Sequence, residues 1–160
     1  MEFRTFEGIN TVDPTVWNQL TNGYPFAGWH WCQFGETSME QPGYYLIAFE
    51  GEEPVGGAIF WVMHKETIPT TNRPLRWMLR QYLKWRPLIV CRTSVTTDHK
   101  GFFLPDDPGQ CAAVLGEIRR VGRDIARQHH GSFVLADYIF ADEADHDWGD
   151  FLKFKDYMSI

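Results

Sequence analysis

The chain has 160 residues and a mass of 18.7 kDa, and its 15 Lys+Arg against 21 Asp+Glu give a formal net charge of -6. That length is one domain's worth, enough to bury roughly two-thirds of the surface its unfolded chain exposes, so residues 1–160 read as a single domain. With 44% hydrophobic and 22% charged residues the disordered and low-complexity classes are excluded, and the acidic balance speaks against a generic nucleic-acid coat.

Glu2 to Glu7 alternates around Phe3 and Phe6 and reads as a first strand. Asp13-Pro14 is a strong helix start, because Asp can cap free N–H groups and Pro suits the first helical position. The helix it opens, Thr15 to Leu20, is short and stops at Asn22-Gly23, and a second helical piece follows from Trp29 to Glu36. The rings of Tyr24, Phe26, Trp29 and Trp31 read as core, with lining a cleft as the alternative for one of them. Tyr44 to Glu50 and Val55 to Met63 are β-rich runs around Gly51-Glu52-Glu53-Pro54, the pattern of an antiparallel hairpin. Pro74 to Trp85 forms a helix opened by its proline, and Pro87 to Val95 a further apolar strand.

Gly101 to Gly109 is rich in breakers and reads as a loop. The longest helix follows, Gln110 to His129, with Cys111, Leu115, Ile118, Val121 or Gly122, and Ile125 as its buried stripe. Arg119, Arg120, Arg123 and Arg127 make its polar face. After the stop signal Gly131 come a buried strand, Phe133 to Phe140, an acidic helix, Asp142 to Phe151, and a last strand from Phe154 to Ile160. The order is a strand, two short helices, a strand hairpin, a basic helix, a strand, the long helix, a strand, a helix and a strand, which reads as one α/β (α+β) domain of about six strands flanked by helices.

No apolar run approaches the roughly 20 residues of a transmembrane helix, and the N-terminus lacks a signal-peptide core. Three widely spaced cysteines, Cys32, Cys91 and Cys111, fit a reduced, cytoplasmic protein with neither a disulfide framework nor a Cys-based zinc site. Cys91, mid-strand, fits a small buried hydrophobe rather than a nucleophile. His30 and His64 flank apolar segments and fit structural roles, while His129-His130 suits the negative end of the long helix. The run Asp142 to Asp147 contains metal-ligand types at no metal-binding spacing, and fits a solvated helix start.

Charge is segregated. Residues 67–97 hold six basic side chains, Arg73, Arg76, Arg80, Lys84, Arg86 and Arg92, and no Asp or Glu; with +6 there and -6 overall, the rest carries -12. Arg73, Arg76, Arg80 and Lys84 share one helical face, and Leu75, Met78, Leu79, Tyr82 and Trp85 occupy the opposite arc. Such a surface fits an anionic partner: a lipid-linked sugar phosphate, the inner membrane face, or tRNA. It also fits the commoner arrangement, an amphipathic helix packed on the sheet with its basic side balancing the acidic body.

The element order resembles the GNAT acyltransferase fold, and the resemblance implies a mixed, mostly antiparallel twisted sheet. The opening Val12-Asp13-Pro14-Thr15-Val16-Trp17-Asn18, then Tyr24-Pro25-Phe26, the hairpin Tyr45-Leu46-Ile47-Ala48 … Pro54-Val55-Gly56-Gly57-Ala58 and the strand-loop-helix from Pro87 to His129 resemble one half of a FemAB-like protein. These twin-GNAT proteins attach amino acids to peptidoglycan precursors. The resemblance implies a second GNAT-like half or a homodimer, meeting at the edge Tyr157 to Ile160, and acyl-CoA or aminoacyl-tRNA as donor. The residues by themselves specify no cofactor.

Two departures separate the chain from GNAT enzymes that use acetyl-CoA. Those enzymes follow the fourth strand with Gln/Arg-x-x-Gly-x-Gly/Ala, whose backbone N–H groups cradle the pyrophosphate. Thr96 to Leu104 lacks that glycine spacing, and the partial match Arg119 to Asp124 falls inside a helix, where amides are already bonded. Many of those enzymes also place a Tyr that protonates the leaving thiolate shortly before a Gly-Phe near the end; with Asp156-Tyr157 aligned on that Gly-Phe, the Tyr position falls on Leu152.

The resemblance implies acyl or aminoacyl transfer to an amine, with His99 and Asp98 as candidate catalytic residues in the loop after the fourth strand. There His99 would act as base, and a surface-loop histidine is the plain alternative. The backbone of Arg92, Thr93, Ser94 and Val95 would face the acyl carbonyl, and Arg76 and Arg80, with Trp77 beside them, would hold a phosphate-bearing substrate such as a lipid-linked precursor. The alternative class is a recognition or dimerisation domain that kept the fold and lost the donor site. A third is a tRNA- or membrane-associated binder with steep salt dependence.

Overall fold

A computed structural model describes residues 1–65, 71–93, 101–131 and 133–136. In chain order these form β1 (Glu2–Glu7), a 3-10 turn (Ile9–Thr11), α1 (Pro14–Leu20), α2 (Trp29–Met39), β2 (Tyr44–Glu50) and β3 (Glu53–Met63). Then follow α3 (Arg73–Trp85), β4 (Leu88–Cys91), β5 (Phe102–Phe103), α4 (Pro108–Gln128) and β6 (Phe133–Ala136). The expected acidic helix and last strand, and the rest of the strand begun by β6, lie outside the described residues.

The caps follow the residue chemistry. Asp13 accepts from the N–H groups of Thr15 and Val16 at 2.7 and 3.2 Å and so starts α1. Those two bonds favour the ionised carboxylate and hold Asp13 below its ordinary pKa. Asn72 caps α3 through Leu75 N–H, and Asp107 caps α4 through Gln110 N–H. α4 closes at His129, whose Nε2 lies 2.7 Å from the Tyr44 hydroxyl.

The sheet runs in the order β1-β2-β3-β4-β6. β1, β2, β3 and β4 pair antiparallel, whereas β4 and β6 pair parallel through the α4 crossover. Both faces are covered, which is why β2 reads as a nearly continuous apolar run rather than an alternating one. Leu46, Ala48, Ala58 and Phe60 pack under α4, against Val114, Ile118, Val121 and Ile125. Tyr45, Ile47, Ile59 and Trp61 face the other way, towards Trp17 of α1 and Cys32 of α2. This is the mixed, mostly antiparallel α/β architecture that the sequence predicts.

Three expectations change. The stripe of α4 begins at buried Val114, with Cys111 and Leu115 only half-buried at its margin. Phe102–Phe103, read as loop, is a strand: it pairs with Gly57 and Ala58 of β3, because the apolar pair continues the line of β4. The apolar arc of α3 is not packed on the sheet. Leu83 alone is buried there, while Leu75, Met78, Tyr82 and Trp85 are exposed.

Candidate functional site

The site is built where β4 breaks. Cys91 pairs with Phe60 and Phe102 pairs with Ala58, so only Ile59 intervenes on β3 although ten residues separate Cys91 from Phe102 in the sequence. The neck at which the two segments meet is fixed at three points. The Ile59 N–H donates to Gly101 O at 2.6 Å, the Trp61 indole N–H donates to Arg92 O at 3.1 Å, and the Cys91 thiol lies 3.4 Å from Gly101 O. The backbones of Arg92 and Gly101 touch so closely that a Cβ on Gly101 would overlap Arg92, so this position requires glycine. Buried Thr93 stands just past the neck.

Opposite stands the α1–α2 connection. Asn22 and Gly23 adopt left-handed conformations (φ 50° and 66°), which Asn and Gly tolerate best. The Thr21 hydroxyl donates to Trp17 O at 3.1 Å, and Asn18 Oδ1 accepts from Trp29 N–H at 2.9 Å, tying the connection to both helices. Buried Trp17 anchors the wall: its indole N–H donates to Ala27 O at 2.7 Å, and its ring meets Tyr45 and Phe103 edge-on.

Between the two walls lies an open cleft of about 500 Å³. Thr21 to Pro25 line one side; Thr93, Phe102 and Phe103 line the other. Pro25, Phe102 and Phe103 give the cleft apolar lining, and Thr21, Asn22, Tyr24 and Thr93 are its polar lining residues. From Tyr24 an edge-to-face series runs outwards through Phe26 (5.9 Å) to Trp31 (5.2 Å), and Phe34 continues it at 5.4 Å. Phe26 and Phe34 are exposed, so these rings form a surface track rather than the expected core. Trp29 is half-buried and donates to the carbonyls of Ile9 and Val12, both at 3.0 Å.

The structure separates the sequence-selected residues. Arg92 and Thr93 lie at the strand break. Arg76, Trp77 and Arg80 are on α3, which enters β4 at Leu88, the other end of that strand. Ser94, Val95, Asp98 and His99 lie outside the described residues, as does Leu152. Of the cleft wall Thr21 to Pro25 the sequence reading reaches Tyr24 alone, one of the four rings read as core with cleft lining as the alternative; Thr21, Asn22, Gly23 and Pro25 were missed. The Asn-Gly pair signals a turn there, but nothing in the order of residues shows that the turn faces Thr93.

The helix that follows the interrupted strand is α4, and its N-terminus is where a CoA pyrophosphate would sit. Pro108 supplies no N–H, Asp107 takes Gln110 N–H at 2.8 Å, and Asp106 adds a second exposed carboxylate. Gln110 is further tied to Glu50 Oε2 at 2.7 Å. An anion would meet negative charge and an amide already used, so this turn does not fit the pyrophosphate. The partial motif at Arg119 to Asp124 fits no better. A Cβ on Gly122 would come within 3.0 Å of Val134 and 3.3 Å of Phe60, so this glycine serves close packing of helix on sheet.

No protein-family model matches the chain, and no curated protein does. Solved structures are similar in fold. The aminoglycoside antibiotic 6'-N-acetyltransferase AAC(6')-IG from Acinetobacter haemolyticus, in its apo form, superposes with a TM-score of 0.59 at 12% identity, covering 100% of this chain and 94% of that one. The aminoglycoside antibiotic 6'-N-acetyltransferase AAC(6')-Ih from Acinetobacter baumannii gives 0.57 at 11% identity, covering 96% and 90%. At such identities the likeness establishes architecture: the chain has the GNAT fold.

Proposed function

We propose that the chain is an acyl-transfer domain of the FemAB-like kind, joining an aminoacyl or acyl ester to an amine acceptor without CoA. The observation that carries this reading is a formed cleft at the strand break, in a fold whose next helix has its N-terminus capped by Asp107. The amine nitrogen would attack the ester carbonyl carbon, forming the C–N bond. The C–O bond then breaks, the leaving oxygen takes up a proton, and a base removes one from the amine. His99, oriented by Asp98, is the proposed base, and the backbone from Arg92 to Val95 the proposed partner of the carbonyl. Placement supplies most of the acceleration in such a step, which suits a site whose described lining carries no charged side chain. A cell-envelope precursor as acceptor, a second GNAT-like half as partner and a cytoplasmic location belong to the same proposal.

A second reading, a recognition domain without turnover, is favoured by one feature. Tyr24 is the only titratable side chain among the described lining residues. Mass spectrometry of the purified chain with an aminoacyl ester and a peptide amine separates the two. Amide formation that falls at least about 100-fold in His99→Ala supports transfer. Equal background rates with and without protein support recognition alone.

A further inference from the structure

We propose that α3 is an interfacial helix that lays its outer side on an anionic lipid bilayer. This inference stands apart from the acyl-transfer reading and rests on what α3 exposes. Trp77 is 66% and Trp85 82% exposed, with Met78 at 56%. Successive helical residues turn by about 100°, so the outward side of α3 can be read in order. A basic row, Arg73, Arg80 and Lys84, gives way to Trp77 and Trp85 and then to Met78, Tyr82 and Leu75. Leu83, with half-buried Arg76 and Leu79, faces the body.

Few partners satisfy that surface. An apolar crest needs hydrocarbon, the row beside it needs anions, and tryptophan favours the boundary between them. A bilayer containing anionic lipid supplies all three at once. RNA offers phosphate to the basic row but no hydrocarbon for Leu75 and Met78, and a second copy would bring like charges together. The charge distribution also sets orientation, because α3 and the Arg86 that follows it carry five basic residues and no acid, while residues 1–65 carry eight Asp and Glu against Arg4 and Lys65. A negative surface therefore attracts the α3 side and repels the body. The 13 residues of α3 span about 20 Å, too short for a hydrocarbon core of about 30 Å, so the helix lies on the bilayer. No described helix is long and apolar enough to cross one.

Vesicle flotation with the full chain tests this. Vesicles of phosphatidylcholine with about a third phosphatidylglycerol should carry the protein, and raised salt should weaken that binding. Replacing Arg73, Arg80 and Lys84 by Gln together should weaken it roughly 100-fold, at about fivefold per charge. Trp77→Ser with Trp85→Ser should weaken it at least about 10-fold. These positions are exposed, so both variants should melt as the parent does, and the salt dependence of the parent needs no variant. No flotation, salt-insensitive flotation or equal flotation by folded variants would each overturn the proposal. So would an RNA complex or a dimer that the same substitutions dissolve in protein that ignores vesicles.

Discussion

α3 and α4 are both amphipathic and both rich in basic residues, yet the fold uses them in opposite ways. α4 sinks Val114, Ile118, Val121 and Ile125 into the sheet and satisfies its surface locally, with Arg120 at 2.6 Å from Glu117 and 2.7 Å from Asp124, and Arg127 at 3.0 Å from Asp124. α3 buries Leu83 alone and shows aromatic rings outwards, in a stretch with no acidic residue. Periodicity therefore announces a helix without saying what covers it. The distribution of acids is the better guide: a helix that carries its own counter-charges is finished within the fold, and one that lacks them is suited to an external anion.

The largest expected effect lies under α4. Ile118→Ala removes a buried side chain between helix and sheet and should cost about 2–5 kcal/mol in denaturant unfolding. A cost below about 1 kcal/mol would mean that α4 is not the sheet's main cover.

The other face of the sheet gives a pH signature. Burial pushes the Cys32 thiol up to about 12 from 9.0, and burial likewise raises the Tyr45 hydroxyl. Both groups are neutral when protonated and ionise later in the folded chain than in the unfolded one. Their contribution is thus complete below pH 9 and is lost as pH rises from 9 towards 12. Melting temperature should decline across that window, and Cys32→Val should flatten the decline.

The architecture was largely legible in the residues. Asp13-Pro14, the hairpin around Gly51 and the spacing of Ile118, Val121 and Ile125 each place an element through a local rule. The strand break was not legible, because Phe102–Phe103 joins β3 by a pairing fixed across the sheet, and its flanking glycine and proline resemble a loop. The cleft was hidden for the same reason: Asn22 and Thr93 come to line one cleft only in the folded chain, where Trp17 of α1 meets Phe103 of β5 and Tyr45 of β2 edge-on. The exposed side of α3 was misjudged because an apolar arc carries no label for its partner.

A smaller effect belongs to the α4 cap. Asp107→Ala should cost about 1 kcal/mol, lowering the melting temperature by about 2–4 °C. The smallest is on α3, where Trp77→Ser should change stability by less than about 0.5 kcal/mol, since that ring is mostly solvent-exposed. A large loss there would place Trp77 in the fold's own packing and erase the contrast with α4.

The claim that the cleft works without CoA is tested most directly by calorimetric titration of the full chain with CoA and acetyl-CoA. The account predicts no saturable heat with either, and no rise in melting temperature at millimolar ligand, because Asp107 and Pro108 leave the pyrophosphate no cradle. Saturable one-to-one binding, weakened by raising salt and strengthened by Asp106→Asn, would contradict it and make α4 a working cofactor site.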